Sequence, residues 1–399
     1  RAVSVLAMPS PEADAKFDEY ERKLSVLHER VGELDRRVQL YLDSPSPESD
    51  GEESTVTELS MRLDDVDSRL DDLECSMEEK TDSHEVEDII QNAVGDLDLP
   101  DSYAIEVMID DAVETTHSDL SPVIWTNTAE IANNGIDDDN NGYIDDVNGF
   151  DVADSDNDPN PDSPISSYDH GTHVAGIAGG ATNNNIGISS IGFGVSILPV
   201  KATNSPTAIT HGYDGVVYSV NAGADVINMS WGGSNSSTTG QNIVNWAYNQ
   251  NIVLVAAAGN DDVNTQHYPA AYSNVIAVAS TTFGDSKSGF SNYGSWIDIS
   301  APGSAIYSTI PGNAYSTKQG TSMASPMVAG LCGLMLSLNP TLPPSNIKSC
   351  LLNSADDLDA SNPSYVGQLG SGRINALAAM NCISATLNMS PIANFSSNM

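Results

Sequence analysis

Residues 170–176 read His-Gly-Thr-His-Val-Ala-Gly, and residues 320–326 read Gly-Thr-Ser-Met-Ala-Ser-Pro. Each segment combines one reactive side chain, His170 or Ser322, with small residues that permit close helix packing. Ser322 precedes an apolar helical run, so its hydroxyl is expected near the positive end of a helix dipole. A single histidine is usually a core residue and a single serine usually a helix cap, but the heptapeptide around His170 is rare by chance. The two segments therefore supply the first candidates for functional residues.

Short apolar runs separated by helical stretches begin after residue 100, and this pattern is typical of buried parallel strands in an α/β fold. The runs are residues 105–109, 226–229, 252–258 and 275–279. Asp110 directly follows the first run and is expected at the carboxyl end of a central strand, where the active sites of open α/β sheets gather. Burial and hydrogen bonds at such a place can keep a carboxylate ionised beside an imidazole.

Asp110, His170 and Ser322 follow one another in the chain order found in subtilisin. Further segments match the same family: Asn-Met-Ser-Trp-Gly-Gly at 228–233, Ala-Ala-Ala-Gly-Asn at 256–260, Tyr-Pro-Ala-Ala-Tyr at 268–272, Phe-Ser-Asn-Tyr-Gly at 290–294, Ala-Pro-Gly at 301–303 and Gly-Arg-Ile-Asn-Ala at 372–376. On these motifs the chain from about 101 to 382 resembles the subtilisin-like serine proteases, or subtilases. The resemblance implies a three-layer α/β fold with a mostly parallel central sheet.

The resemblance also implies a catalytic mechanism. Ser322 would attack the peptide carbonyl, His170 would accept and return the proton, and Asp110 would orient the imidazole. Asn260 matches the family's oxyanion-hole side chain, which acts together with the backbone N–H of the nucleophile. The expected activity is therefore serine endopeptidase hydrolysis of polypeptide substrates through an acyl-enzyme.

The same resemblance implies the substrate-binding residues. They are Ser230, Trp231 and Gly232 on the strand that pairs with the substrate, and Ala257, Ala258 and Gly259 on the opposite wall of the pocket for the P1 side chain. His267 matches the floor of that pocket, where it could narrow the pocket or favour acidic P1 residues, or it could turn to solvent.

The residues after Asp110 depart from the family pattern, which has Ser or Thr and then Gly. They are Asp111 and Ala112 here. A second carboxylate beside the first could raise the pKa of one of them and shift the pH profile.

An acidic loop at residues 134–146 carries the D-x-D-x-N-G pattern, in which oxygen ligands at alternate positions surround Ca²⁺ and a glycine allows the turn. The candidate ligands are Asp137, Asp139, Asn141, Tyr143, Asp145 and Asp146. Asn148 replaces the usual glutamate at position 12, so Asp145 or Asp146 would complete the shell. The alternative interpretation is a solvated acidic loop.

A second calcium site is implied by the resemblance alone, because many subtilases bind an ion between the segment after the catalytic strand and a loop in the histidine helix. The matching residues are Asp119, Thr182, Asn184, Ile186 and Ile188. The remaining N-terminal ligand of that family site has no identifiable counterpart.

The charge balance excludes some partners. Fifteen Lys and Arg against 55 Asp and Glu give a net charge of −40, which argues against nucleic-acid binding because phosphate contacts need basic stripes. No run approaches the roughly 18 apolar residues of a membrane span. Residues 1–100 hold 28 of the acids and 10 of the bases.

Heptad patterns occupy the first quarter of the chain, along residues 17–41 and 56–77, with a helix-breaking linker at 44–54. They predict an α-helical hairpin or coiled-coil region over 1–98 that could support a homo-oligomer. A partly disordered linker and an inhibitory propeptide are the alternatives. The catalytic domain is expected at 99–385 and a C-terminal tail at 386–399.

Two functional hypotheses follow from the whole sequence. The first is a secreted, calcium-stabilised serine endopeptidase, and the second is a catalytically silent subtilase-like scaffold that assembles through its coiled coil and calcium sites. Among the cysteines, Cys350 and Cys382 flank one C-terminal stretch and could form a disulfide bond, whereas Cys332 is predicted to be a core residue.

Overall fold

The computed structural model describes residues 104–386. The predicted heptad-patterned region, its linker and the end of the predicted tail lie outside the described residues and stay predictions. The described residues form an α/β domain whose central sheet contains seven strands.

All neighbouring strands of the central sheet are parallel, in the order β2-β3-β1-β4-β5-β6-β7. The strands are β1 Ile105–Asp110, β2 Phe150–Asp151, β3 Ser196–Lys201, β4 Val226–Met229, β5 Val253–Ala257, β6 Ile276–Thr281 and β7 Ile299–Pro302. A separate antiparallel hairpin consists of β8 Ile306–Ile310 and β9 Ala314–Lys318. The prediction of a mostly parallel α/β sheet is thus confirmed.

Helices cover both faces of the sheet. They are α1 His170–Gly179, α2 Gly212–Asn221, α3 Thr238–Asn249, α4 Thr321–Leu338, α5 Pro344–Ser354 and α6 Ala376–Thr386, with short 3₁₀ helices at Ser121–Val123 and Ile165–Ser167. Successive side chains of a strand point to opposite faces. On β5, Val253 and Val255 pack in the core beneath α4, whereas Leu254 and Ala256 pack in the core beneath α2 and α3. The result is a three-layer arrangement.

Helix α4 is long and apolar enough to cross a membrane by length and composition alone, but 72% of it is buried inside the domain. Its apolar residues pack against the sheet and against α5 and α6. This packing identifies α4 as the central core helix of the domain.

The predicted cysteine pairing is confirmed, because a disulfide bond joins Cys350 on α5 to Cys382 on α6. Cys332 is a free, fully buried cysteine on α4, also as expected.

Glu106 is an unusual core residue of β1. It is completely buried, and neither carboxyl oxygen has a hydrogen-bond partner among the described residues. A Cβ atom placed on Gly333 of α4 would lie 3.5 Å from its Oε2 atom, so the carboxyl group packs directly against that helix. Burial without partners raises the pKa of Glu106 well above its usual range.

Replacing Glu106 with Gln should change how stability depends on pH. The raised folded-state pKa means that wild type loses stability as pH rises from the unfolded-state value towards the folded-state value, whereas Gln does not ionise. The melting temperature of Glu106→Gln minus that of wild type should therefore increase by roughly 5 °C or more between about pH 5 and pH 9 in thermal scans. Glu106→Met should show the same trend. Parallel curves of melting temperature against pH for all three proteins would contradict a raised pKa of Glu106.

Candidate active site

A short hydrogen bond connects the end of β1 to the start of α1. Asp110 is the last residue of β1 and is buried, and His170 is the first residue of α1. Nδ1 of His170 lies 2.7 Å from Oδ1 of Asp110. A proton on Nδ1, donated to this carboxylate, leaves Nε2 as the basic nitrogen of the neutral ring.

The charge of His170 is favoured by its surroundings. Burial opposes protonation most strongly, but one third of the side chain is exposed, and the attraction and hydrogen bond of Asp110 together with the charge of Asp111 outweigh burial. These carboxylates raise the pKa of His170 to about 9. The imidazole is thus the most basic histidine side chain of the site.

Ser322 lies in the first turn of α4 and is 9% exposed. Its Oγ atom donates to the carbonyl oxygen of Ser230 at 3.1 Å, and its own carbonyl oxygen accepts from Oγ of Ser230 at 2.9 Å. In the part of the chain that the structure describes, the Ser322 hydroxyl is therefore hydrogen-bonded to Ser230 and not to His170.

A buried polar network fixes this junction between β4 and α4. Nδ2 of Asn228 donates to Oγ of Ser230 at 3.0 Å, and Oγ of Ser325 donates to Oδ1 of Asn228 at 2.7 Å. Since buried polar groups are costly when unpaired, these bonds favour one arrangement of the strand end and the helix start.

Asn260 follows β5 and is oriented by the same helix. Its Oδ1 atom accepts from the backbone N and the Oγ1 atom of Thr321, at 2.8 and 3.0 Å. Its Nδ2 atom is on the side of Gly320, where an added Cβ would lie 3.5 Å from it. The amide N–H groups are thus free to donate beside Ser322.

A groove of about 500 Å³ runs beside Asp110 and His170. Its walls include the segment after β4, and they are lined by Asp111, Ile209, Tyr213, Ser230, Trp231, Gly232 and Tyr268 among others. Trp231 packs edge-on against Tyr213 at 5.4 Å between ring centroids. Gly233 and Tyr268, which both line the groove, exchange backbone hydrogen bonds of 2.8 and 2.7 Å that join the two segments.

The His267 ring lies between two predicted walls of the P1 pocket. A Cβ atom placed on Gly232 would lie 2.7 Å from Cδ2 of His267, and one on Gly259 would lie 3.1 Å from its Cγ and Nδ1 atoms. Burial lowers the pKa of His267, so the ring is neutral at neutral pH. The ring is turned inward rather than to solvent, an alternative that the sequence left open.

Acidic oxygen atoms come together in the loop that precedes α1. Carboxylate oxygens of Glu130, Asp137 and Asp139 lie within 4.8 Å of one another. Asp137 accepts from the backbone N atoms of Asn141 and Gly142 at 3.1 and 2.9 Å, which folds the loop around these carboxylates. The positive φ of Gly142, +99°, shows why glycine suits this turn.

The other predicted ligands of this loop surround the three carboxylates at different positions. Oδ1 of Asn141 accepts from the backbone N of Tyr143, and Asp146 is a fully buried carboxylate that accepts from Asn141 and from Asn127. The Asp145 carboxylate accepts from the backbone of residues 134 and 135 instead. Sequence reasoning missed Glu130, which precedes the loop and carries no spacing signal.

The second predicted calcium set is held by protein hydrogen bonds. Oδ1 of buried Asp119 accepts from Nδ2 of Asn184 at 2.7 Å, and its Oδ2 accepts from the backbone N of Ile188 and the hydroxyl of Tyr315, both at 2.9 Å. The backbone N of Ile186 donates to Oδ1 of Asn184 at 3.2 Å. Thr182 belongs to the same loop, but its position adds no contact to Asp119 among the described hydrogen bonds.

Comparison with known proteins identifies the family of this chain. The subtilase family matches residues 107–372, a stretch that contains Asp110, His170 and Ser322. The chain belongs to the subtilase family. Its relatives are proteases, and the chain is a subtilisin-like serine endopeptidase.

Three relatives show the extent of the similarity. Thermitase of Thermoactinomyces vulgaris is 42% identical over 226 residues, which cover 55% of this chain and 78% of thermitase. A thermophilic serine proteinase of Bacillus sp. strain AK1 is 46% identical over 190 residues, 47% of this chain and 46% of that protein. The solved structure of a protease of Pseudoalteromonas arctica aligns with a TM-score of 0.56 and 30% identity over 71% of this chain and 91% of that one.

Proposed function

We propose that this subtilase is a secreted, calcium-stabilised endopeptidase that uses Asp110, His170 and Ser322 as a catalytic triad. The observation that carries the proposal is the 2.7 Å hydrogen bond between Asp110 and His170 at the carboxyl edge of the sheet, beside the groove and the start of α4. Charge-bearing groups at this edge of a parallel sheet are where α/β enzymes do chemistry.

Each group has one role in the reaction. Ser322 leaves its hydrogen bond to the Ser230 carbonyl and attacks the substrate carbonyl carbon while Nε2 of His170 accepts its proton. His170 then donates that proton to the leaving amine, and the resulting acyl-enzyme is hydrolysed by water in the same way. Asp110 holds the ring in the Nδ1–H tautomer and stabilises the imidazolium.

Asn260 stabilises the charge that develops on the substrate oxygen. Thr321 holds the Oδ1 atom of Asn260, so the Nδ2 donors face the start of α4, where the backbone N–H of Ser322 and the positive helix end also lie. Fixed donors of this kind need no reorganisation during the reaction.

Ser322→Ala should abolish reaction with a fluorophosphonate probe, since the probe bonds covalently to the activated serine oxygen. Labelling is measured by mass spectrometry on the folded protein. Ser337→Ala is the matched control, because Ser337 lies on the same helix and its hydroxyl donates to the backbone carbonyl of Gly333 within that helix. A wild-type protein that is folded but unlabelled would favour the silent scaffold and end the protease assignment.

The P1 pocket is restricted by His267. The ring contacts both Gly232 and Gly259, so the space between the two walls is partly filled before any substrate binds. Because the lowered pKa keeps this ring neutral, it contributes volume rather than positive charge at neutral pH. We therefore assign a preference for small P1 side chains over large aromatic ones.

His267→Gly should enlarge the pocket and raise kcat/KM for a Phe P1 substrate, relative to an Ala P1 substrate, by about tenfold or more. Peptide substrates that differ only at P1 provide the measurement. Gln266→Ala changes the neighbouring exposed residue and should leave the ratio as it is. An unchanged ratio in His267→Gly would show that the ring does not limit the pocket.

Calcium fits the group of Glu130, Asp137 and Asp139. Carboxylate and carbonyl oxygens are the ligands that Ca²⁺ prefers. No lysine or arginine occurs in the sequence between Lys80 and Lys201, and every ion pair found among residues 104–386 involves other carboxylates. A bound cation would offset the repulsion of these three groups, with Asn141, Tyr143 and Asp146 as further oxygen donors.

The second site is the weaker of the two proposals. Asn184, Ile188 and Tyr315 already donate to both oxygens of Asp119, so this carboxylate is satisfied by the protein itself. The carboxylates of the first loop also accept protein hydrogen bonds, but three of them converge there, against the single carboxylate of Asp119 at the second site. The first loop therefore carries the calcium proposal.

Removing calcium with EDTA should lower the melting temperature by several degrees, since an ion at about 100 times its Kd stabilises the folded state by about 2.7 kcal/mol. In Asp137→Asn, the drop in melting temperature caused by EDTA should be less than half of the drop in wild type. Asp357→Asn removes an exposed carboxylate elsewhere and should retain it. Identical melting of wild type with calcium and with EDTA would contradict the calcium assignment.

Secretion is supported by two observations. A disulfide bond joins Cys350 and Cys382, and such bonds persist mainly in oxidising compartments. A protease of Xanthomonas campestris described as extracellular is 42% identical over 54% of this chain and 40% of its own length.

A further inference from the structure

Asp111 contacts both members of the Asp110–His170 pair. It is 3% exposed. Its Oδ1 atom accepts from the backbone N of Gly171 at 2.7 Å, and its Oδ2 atom accepts from the backbone N of His170 at 3.2 Å. Its own backbone N donates to Oδ1 of Asp110 at 2.8 Å, the same oxygen that contacts His170. One residue therefore connects the end of β1 to the start of α1 twice.

These contacts make Asp111 the cap of α1, although it is far from that helix in sequence. The first N–H groups of a helix need acceptors from elsewhere. Asp169, which directly precedes α1, makes no side-chain cap and instead forms a 2.7 Å ion pair with Lys318. A carboxylate at a helix N-terminus also gains from the helix dipole.

Close packing at this junction depends on Gly171. A Cβ atom there would clash with the carbonyl oxygen of Ala112 and would lie 2.8 Å from the Cβ of Asp110. Glycine lets the helix start approach β1 closely enough for both Asp111 bonds to form. The cap and the orientation of His170 are thus parts of one contact.

The charges that face His170 are unevenly balanced. Asp110 and Asp111 favour the imidazolium, and Lys318 of β9 opposes it while paired with Asp169. His173, on the next turn of α1, is neutral because burial lowers its pKa to about 4. Burial and the neighbouring Asp110 raise the pKa of Asp111 to about 6, so it is ionised above neutral pH.

We propose that Asp111 is a positioning residue that caps the helix of the catalytic base and adds a second negative charge to it, which sets proteolysis to alkaline pH. The inference rests on the proposed triad. A general base must be neutral to accept a proton, and a nearby carboxylate favours its charged form. The acidic limb of the activity profile therefore lies at higher pH than it would with an uncharged cap.

Asp111→Asn removes the charge and keeps one of the two accepting oxygens, the one that can accept the 2.7 Å bond from the backbone N of Gly171. The measurement is the second-order rate constant for fluorophosphonate labelling of Ser322 between about pH 6 and 11. We expect the midpoint of the acidic limb to fall by about 1 pH unit in this variant, because a nearby opposite charge shifts the pKa of a titrating group by about 1 unit or more.

Asp225→Asn is the matched control, since Asp225 also accepts a backbone N–H, from Ile105 at 2.8 Å, but at the opposite end of β1. Its midpoint should equal that of wild type. Asp111→Ser provides a second uncharged cap if Asp111→Asn folds poorly, and it should move the midpoint in the same direction.

The outcomes separate this inference from the triad itself. A labelled wild type whose midpoint does not move in Asp111→Asn or Asp111→Ser would overturn the role of Asp111 alone. A folded wild type that is not labelled would overturn the triad as well. A midpoint shift in Asp225→Asn equal to that in Asp111→Asn would show a general charge effect and would also overturn the proposal.

Discussion

The hydrogen bond between Asp110 and His170 requires a strand end and a helix start to meet within 2.7 Å. Parallel strands bring their carboxyl ends to one edge of the sheet, and β1 lies in the interior of the seven-stranded order. Strands β3 and β4 both pair with β1, and Asp110 itself pairs with Lys201 of β3, whereas the pairing with β4 ends at Ile109. The proposed catalytic carboxylate thus lies on an interior strand of the described sheet, and the helix start needs separate positioning.

The β8–β9 hairpin supplies that positioning from the other side. Oγ of Ser308 and Oγ1 of Thr309 donate to backbone carbonyls of α1 at 2.8 and 2.7 Å. Nε2 of His173 lies 3.1 Å from the carbonyl oxygen of Ser316, and Nε2 of His117 lies 3.0 Å from that of Ala314. The hairpin thus contacts α1, which carries the proposed base, and leads directly into α4, which carries the proposed nucleophile.

Local patterns predicted the groups that belong to distinctive segments. The strand before Asp110, the heptapeptide of His170 and the helix entry at Ser322 each have a sequence signature, and the parallel sheet then brings them to one edge. Glu130 has no such signature, because it joins Asp137 and Asp139 only through the path of a loop. The direction of the His267 ring depends on the space between two glycines from different segments, which no spacing along the chain encodes.

The excess of acidic residues decides how the charged side chains of the domain are paired. All five lysines and arginines among residues 104–386 form ion pairs with aspartates, and Lys201 and Arg373 each contact two. Within residues 104–386 every basic side chain is therefore paired, and some of the pairs join segments: buried Lys201 links β3 to Asp151 of β2 at 2.7 Å. The other carboxylates must find backbone N–H donors, solvent or metal ions. Asp111 accepts from two backbone N–H groups, and because these belong to α1, which carries the proposed catalytic base, its negative charge lies beside His170.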